Sequence, residues 1–118
     1  MRYVDGYVLP MPKKRVEAYR RMARKAGKIW KEHGALEYFE CAGDDLNIKG
    51  MLTFPKLCRI KPGETVFFSF IVYRSRGHRD RVNAKVMKDP RIAKMVQEMM
   101  PLDMKRMAYG GFKAVVNL

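Results

Sequence analysis

Four residues carry side chains whose chemistry could be combined: Asp5, Cys41, Arg106 and Tyr109. Asp5 lies between Tyr3 and Tyr7 in one row of an alternating stretch, an unusual place for a charge. An unpaired buried carboxylate is costly, so Asp5 must be neutral, water-bound or matched with a cation. Arg106 is the expected partner, and Tyr109 follows it closely in the last strand. Gly110 and Gly111 withhold side chains where that strand meets the first, leaving room for a ligand or for close backbone approach. Asp5, Arg106 and Tyr109 thus form a candidate polar cluster that would orient a small anionic or phenolic ligand. A structural Asp–Arg pair tying two strands together is the other reading of the same residues. Cys41 is a candidate nucleophile bordering this cluster, its thiolate favoured by His33 or Arg106. A small buried hydrophobe is its structural alternative.

Weaker candidates for ligand binding are His33, Asp44 and Asp45. His33 closes a helix, where the C-terminal dipole favours its cationic form. Asp44 and Asp45 occupy a turn, where they could share a hard cation, although capping the backbone is the favoured role. The spacing of His33, Cys41, Cys58 and His78 matches neither a paired-cysteine knuckle nor a paired-histidine helix site, so no metal is expected. No phosphate-cradling glycine loop, nucleophile elbow or Ser-His-Asp set is present, and no cofactor is implied.

Charge opens a different class of function. The 118 residues carry a formal net charge of +13, a balance that attracts polyanions such as nucleic acid. Nine lysines and arginines fall between Lys13 and Lys31, against only Glu17 and Glu32. Arg20, Arg21, Arg24, Lys25, Lys28 and Lys31 could neutralise phosphates from one helix face, which makes a basic nucleic-acid-associated protein the alternative function. A solvated polybasic face is the favoured reading, because no nucleic-acid module accompanies it. Two cysteines suit a reducing compartment, and Asp5 interrupts the short apolar run near the N-terminus. No apolar run approaches the roughly 20 residues of a membrane helix, so a cytoplasmic protein without a membrane partner is expected.

The elements that must position these residues follow from periodicity. Glu64–Tyr73 is β-branched and aromatic almost throughout, which predicts a strand. Its two rows are Val66, Phe68, Phe70, Val72 and Phe67, Ser69, Ile71, Tyr73, and neither suits water, so the strand is central with both faces covered. Arg2–Leu9 is a first strand ended by Pro10 and Pro12. A helix then runs from about Pro12 to His33, with a stripe at Val16, Tyr19, Ala23, Ala26, Trp30 and His33, and stops at Gly34. Ala35–Ala42 is a second strand. Residues 46–63 are a long connection with an extended piece at Leu52–Ile60. Ser75 caps a helix over Arg76–Lys88, and Asp89-Pro90 restarts one that buries Ile92, Met95, Val96, Met99 and Met100 and ends by Pro101. A last strand covers Met107–Asn117. One domain spanning 1–118, in the order β-α-β-β-α-β, matches the α+β ferredoxin-like split motif with both helices on one face of a four-stranded antiparallel sheet. The other face then requires a partner, and a homodimer is expected.

The strings Tyr3-Val4-Asp5-Gly6, Glu32-His33-Gly34-Ala35-Leu36, Lys85-Val86-Met87-x-Asp89-Pro90-Arg91 and Lys105-Arg106-Met107-x-Tyr109-Gly110-Gly111-Phe112 carry a resemblance. Cys41-x-Gly43-Asp44-Asp45 and Phe54-Pro55 extend it along the chain in the same order. On these the chain resembles the YbaA-like family, a domain of unknown function assigned to the dimeric α/β-barrel group. The resemblance implies a homodimer whose two sheets pack face to face and names no reaction. Relatives by fold work in a cavity between sheet and helices, some without a cofactor. It therefore implies a small-molecule-binding protein or cofactor-free enzyme.

Overall fold

A computed structural model describes residues 1–98 and 103–118. The strands β1 (Tyr3–Pro12), β2 (Glu37–Ala42), β3 (Glu64–Tyr73) and β4 (Ala108–Lys113) form one antiparallel sheet in the order β2-β3-β1-β4. The helices α1 (Val16–Glu32), α3 (Arg76–Met87) and α4 (Pro90–Glu98) pack on one side, and the short α2 (Phe54–Leu57) lies in the long connection. This is the expected ferredoxin-like α+β fold.

β1 runs on through Pro10 and Pro12 instead of ending before them. β4 pairs with it only as far as Val8, so beyond that point one side of β1 is a free edge, where a missing N–H is tolerated. The extended piece expected at Leu52–Ile60 is instead α2, because Thr53 caps it by accepting from the Lys56 N–H and Pro55 occupies its first turn. A 3-10 turn, Lys13–Arg15, precedes α1. α1 ends in a Schellman closure: the Gly34 N–H donates to Lys31 O and the Ala35 N–H to Trp30 O, with Gly34 at φ +117. In α4, Ile92 is buried and Met95 half-buried, but Val96 is half exposed, contrary to expectation. Met99, Met100 and Pro101 lie outside the described residues. The last strand is shorter than expected and stops at Lys113.

Register decides which rows meet the helices. Ser69 of β3 faces Tyr7 of β1 and Glu40 of β2, and Tyr7 faces Tyr109 of β4. Glu40, Ser69, Tyr7 and Tyr109 therefore form one row across the sheet, since directly paired residues share a face. On one side of this row lies an apolar cluster of Leu9, Met11 and Phe67. On the other lies a larger one built from Tyr3, Ile29, Ile71, Tyr73, Val82, Val86 and Ile92. The core is thus divided by a polar line.

The opposite face carries Phe39, Phe68, Phe70 and Phe112. Phe39 stacks on Phe70 at 4.8 Å, yet Phe39, Phe68 and Phe112 remain 47%, 44% and 61% exposed. No helix of the structure is long and apolar enough to cross a membrane, among the described residues.

Gly27, buried in the middle of α1, allows that helix to approach β2: a Cβ there would lie 2.6 Å from the Tyr38 ring. Ordinarily Gly→Ala inside a helix gains about 1 kcal/mol. Here overpacking, which costs about 1–3 kcal/mol, opposes it. Gly27→Ala is therefore expected to lower the melting temperature, and a rise would show that α1 can move away from Tyr38.

Candidate functional site

Glu40, Ser69 and Tyr7 of the polar row form the floor of a cavity of about 190 Å³ between the sheet and helices α1, α3 and α4. Its walls are apolar: Leu9 and Ile71 from the sheet, Met22, Ala23 and Ala26 from α1, Met87, Ile92, Met95 and Val96 from α3 and α4, and Met107 before β4. Tyr7, Tyr19, Trp30 and Tyr38 add aromatic surface, and Glu40 is the one carboxylate that lines it, among the described residues.

Glu40 is held by three hydroxyls. Tyr19 of α1 donates to its Oε2 at 2.6 Å, Ser69 of β3 donates to the same oxygen at 2.9 Å, and Tyr38 donates to Oε1 at 3.3 Å. Burial pushes the Glu40 carboxyl above the ordinary range, and the hydrogen bonds from Tyr19, Ser69 and Tyr38 pull the other way. Burial, with the neighbouring carboxylate, raises the Tyr19 and Tyr38 phenols, which stay protonated as donors. No lysine, arginine or histidine lines the cavity, among the described residues.

Asp5 sits one row further along the same face, opposite Gly111 of β4 and Ile71 of β3, and is fully buried. Its Oδ1 accepts from Arg79 Nη1 of α3 at 2.7 Å, and the same nitrogen donates to the Tyr109 hydroxyl at 3.0 Å. Oδ2 has no hydrogen-bond partner among the described residues. Burial raises the Asp5 carboxyl, opposed by the Arg79 charge and by Tyr109 and Asn83. Asp5 and Tyr109 therefore share a face and converge, but through Arg79. The Gly110–Gly111 space is already filled: the Tyr3 ring crosses Gly111, and Phe112 covers Gly110 and Gly6.

Arg106 is a correction. It lies in a 3-10 turn before β4, where register puts it at the far end of the sheet from Asp5. There it grips Glu64 with two nitrogens at 2.7 and 2.9 Å and Asp103 at 2.8 Å. Cys41 is a second correction. It pairs with Phe68, so it points to the helix-free face and is exposed, and its neighbour Glu40 faces the cavity. His33 accompanies neither: its Nε2 lies 2.9 Å from Asp89 Oδ2 across from α1. Asp44 and Asp45 are exposed beyond β2. No group of three His, Cys, Asp or Glu is placed to hold a metal, among the described residues. Arg20, Arg21, Arg24, Lys25, Lys28 and Lys31 are all exposed on α1.

Sequence reasoning missed Glu40 and Arg79. The signal for Glu40 was the parity of Tyr38 and Glu40 against Phe39 and Cys41. Cys41, expected beside the cluster, shares its row with Phe39, and register turns that row to the other face. Arg79 carried no local signal, because its partner is 74 residues away.

An antiparallel ferredoxin-like sheet with a cavity under its helices defines the class. The chain belongs to the family described as Protein of unknown function (DUF1428), whose model matches residues 2–104. It is 43% identical over 117 residues to the uncharacterized protein YbaA of Escherichia coli strain K12, covering 99% of each chain. Among solved structures it resembles SnoaB, a cofactor-independent oxygenase from Streptomyces nogalater, with a TM-score of 0.59 and 10% identity over 99% of this chain and 96% of that one. It also resembles a dimeric ferredoxin-like protein from an uncultured marine organism, with a TM-score of 0.60 and 11% identity over 99% and 98%. At such identities these structures show the fold alone.

Two outcomes follow from the ion pairs. Arg79→Leu leaves Asp5 buried without its cation and should cost about 3–5 kcal/mol at neutral pH. Relative to the unaltered protein, stability should return in part as pH falls through the raised Asp5 value, because the protonated carboxyl needs no cation. Chemical denaturation across pH checks this, and Asp5→Asn added to Arg79→Leu should recover part of the loss. Glu64 behaves oppositely: Arg106 and the Lys61 N–H hold its carboxyl down to about 2 from an ordinary 4.5. Its stabilisation is complete above that ordinary value and lost as pH falls toward about 2. Glu64→Gln should make the acid limb of the stability profile shallower.

Proposed function

We propose that this chain is a small-molecule-binding protein of the dimeric α/β-barrel type, acting as one domain over residues 1–118, whose ligand sits between helices and sheet against Glu40. The observation that carries this reading is the polar row itself. Its Glu40 and Ser69, with Tyr19 and Tyr38 beside them, set a carboxylate held by hydroxyls at the floor of a cavity whose walls are apolar and aromatic. A half-buried carboxylate among hydroxyls contributes little to folding that hydrophobic residues would not, and this favours a binding role. The same geometry supports cofactor-free acid–base chemistry, with Glu40 exchanging a proton with the bound molecule. The fold likeness to a cofactor-independent oxygenase is in keeping with that.

A homodimer joined through the helix-free face completes the reading. Phe39, Phe68, Phe70 and Phe112 on one sheet face form the kind of apolar patch that marks an interface. A standard interface of about 1,600 Å² in total would cover them. The likeness to a protein described as a dimeric ferredoxin-like protein supports a two-copy assembly. Two free cysteines, Cys41 exposed and Cys58 buried, support a reducing compartment such as the cytoplasm.

The nucleic-acid alternative draws on the exposed basic face of α1. The exposed phenylalanines Phe39, Phe68 and Phe112 lie on the opposite side of the sheet from that helix, so the basic face and these rings do not share a surface. Binding through α1 would have to be electrostatic and steeply salt-dependent.

Two measurements test the proposal. Screening small molecules by thermal shift should find stabilisers whose effect disappears in Ala26→Phe, which fills the cavity; stabilisers unaffected by that change would place the ligand elsewhere. Sedimentation at micromolar concentration should give a dimer, and Phe68→Asp should give a monomer. A monomer of 13.8 kDa from the unaltered chain would contradict the dimer.

A further inference from the structure

The donors and acceptors at the cavity floor are unevenly distributed. The hydroxyl hydrogens of Tyr19, Tyr38 and Ser69 are all directed at Glu40, and the indole N–H of Trp30 donates to Tyr73 at 3.2 Å. What these groups still offer a ligand is lone pairs: a hydroxyl retains acceptor capacity after donating, and a carboxylate has about four acceptor sites. Glu40 forms no ion pair with any described residue, and no basic side chain lines the cavity. Asp5, the other carboxylate on this face, is by contrast matched with Arg79 at 2.7 Å. The protein therefore holds an arginine against the buried Asp5, whereas the half-buried Glu40 has no cation within ion-pair distance among the described residues. This is so although Arg20, Arg24, Lys28 and Lys31 line the cleft on its other side and the net charge is +13.

We infer that the cavity takes a small organic cation, an amine whose ammonium group pairs with Glu40 while its hydrocarbon part lies among the methionines and aromatic rings. This rests on the small-molecule reading and adds its chemical class. An ammonium brings Glu40 hydrogen-bond donors and a positive charge in one group, whereas the Tyr7 hydroxyl, the lining hydroxyl not directed at Glu40, offers a donor without charge. Tyr7, Tyr19, Trp30 and Tyr38 add rings whose quadrupoles attract cations. Met22, Met87 and Met95 provide adaptable, polarizable walls for an apolar body. The size is suitable as well: a cavity of about 150 Å³ holds benzene, and this one, at about 190 Å³, has room for an aminomethyl group in addition. The charge is the reverse of that expected from Asp5, Arg106 and Tyr109, because Arg106 stands elsewhere and Arg79 is already engaged.

Three isosteric probes separate the outcomes: benzylamine, benzyl alcohol and benzoate, each titrated into 15N-labelled protein at neutral pH and followed at the amides of Tyr7, Glu40 and Ser69. Benzylamine should bind at least tenfold more tightly than benzyl alcohol, and benzoate should be the weakest. In Glu40→Gln the preference for the amine should vanish while the alcohol still binds. Equal or tighter binding of benzyl alcohol or benzoate by the unaltered protein would overturn the cation inference and leave the small-molecule cavity standing. If none of the three perturbs the cavity amides, the cavity reading fails and the inference with it. The ranking in the unaltered protein decides even if Glu40→Gln folds poorly.

Discussion

A carboxylate removed from water must be matched, neutralised or given hydrogen bonds, and two of them, Asp5 and Glu40, lie on the helix-facing side of this sheet. Two of the helices contribute side chains to that requirement. α3 delivers Arg79 to Asp5, α1 delivers Tyr19 to Glu40, and β3 supplies Ser69 from directly across the pair. The two solutions differ in kind. Asp5 is compensated by a full charge and locked between helix and sheet. Glu40 receives only neutral donors and borders open volume. The first is a structural device, and the second leaves a net demand that a ligand can meet.

Strand parity couples this to the rest of the fold. Because directly paired residues share a face, one register places Glu40, Ser69, Tyr7 and Tyr109 under the helices and Cys41, Phe39, Phe68 and Phe112 on the other side. A slip of one residue in β2 would exchange Glu40 for Cys41 and erase the polar floor. Gly27 contributes to holding that register, since the Tyr38 ring that hydrogen-bonds Glu40 occupies the space a larger residue would take in α1. The helix-side cavity and the aromatic outer face are thus two consequences of one alignment. An assembly that covers the outer face would stabilise the cavity indirectly.

Much of the fold was legible because its signals are local. The unbroken β-branched and aromatic run of Glu64–Tyr73, Gly34 after the stripe of α1, and Asp89-Pro90 ahead of α4 each have a short-range cause. Pro10 was misleading for a tertiary reason: whether a strand tolerates proline depends on how far its neighbour β4 extends. At the site, Asp5 and Tyr109 were legible as a charge within an apolar row and a residue on the adjoining strand. Arg79 was not, because an arginine in a charged helix has no mark to distinguish it until α3 is laid over the sheet. Arg106 is the cation nearest Tyr109 in sequence, but a 3-10 turn carries it to Glu64. Glu40 was hidden by parity, since the pattern of β2 alone does not say which row the helices cover.

The central claim is that Glu40 is a carboxyl withdrawn from water at a cavity floor and held by neutral donors. The most direct test is to follow its side-chain carboxyl carbon by NMR through an acid titration, in the unaltered protein and in Tyr19→Phe. The account predicts a midpoint above the ordinary 4.5 in the unaltered chain, and a further rise when the Tyr19 hydroxyl is removed. A midpoint at or below 4.5, unmoved by Tyr19→Phe, would contradict it.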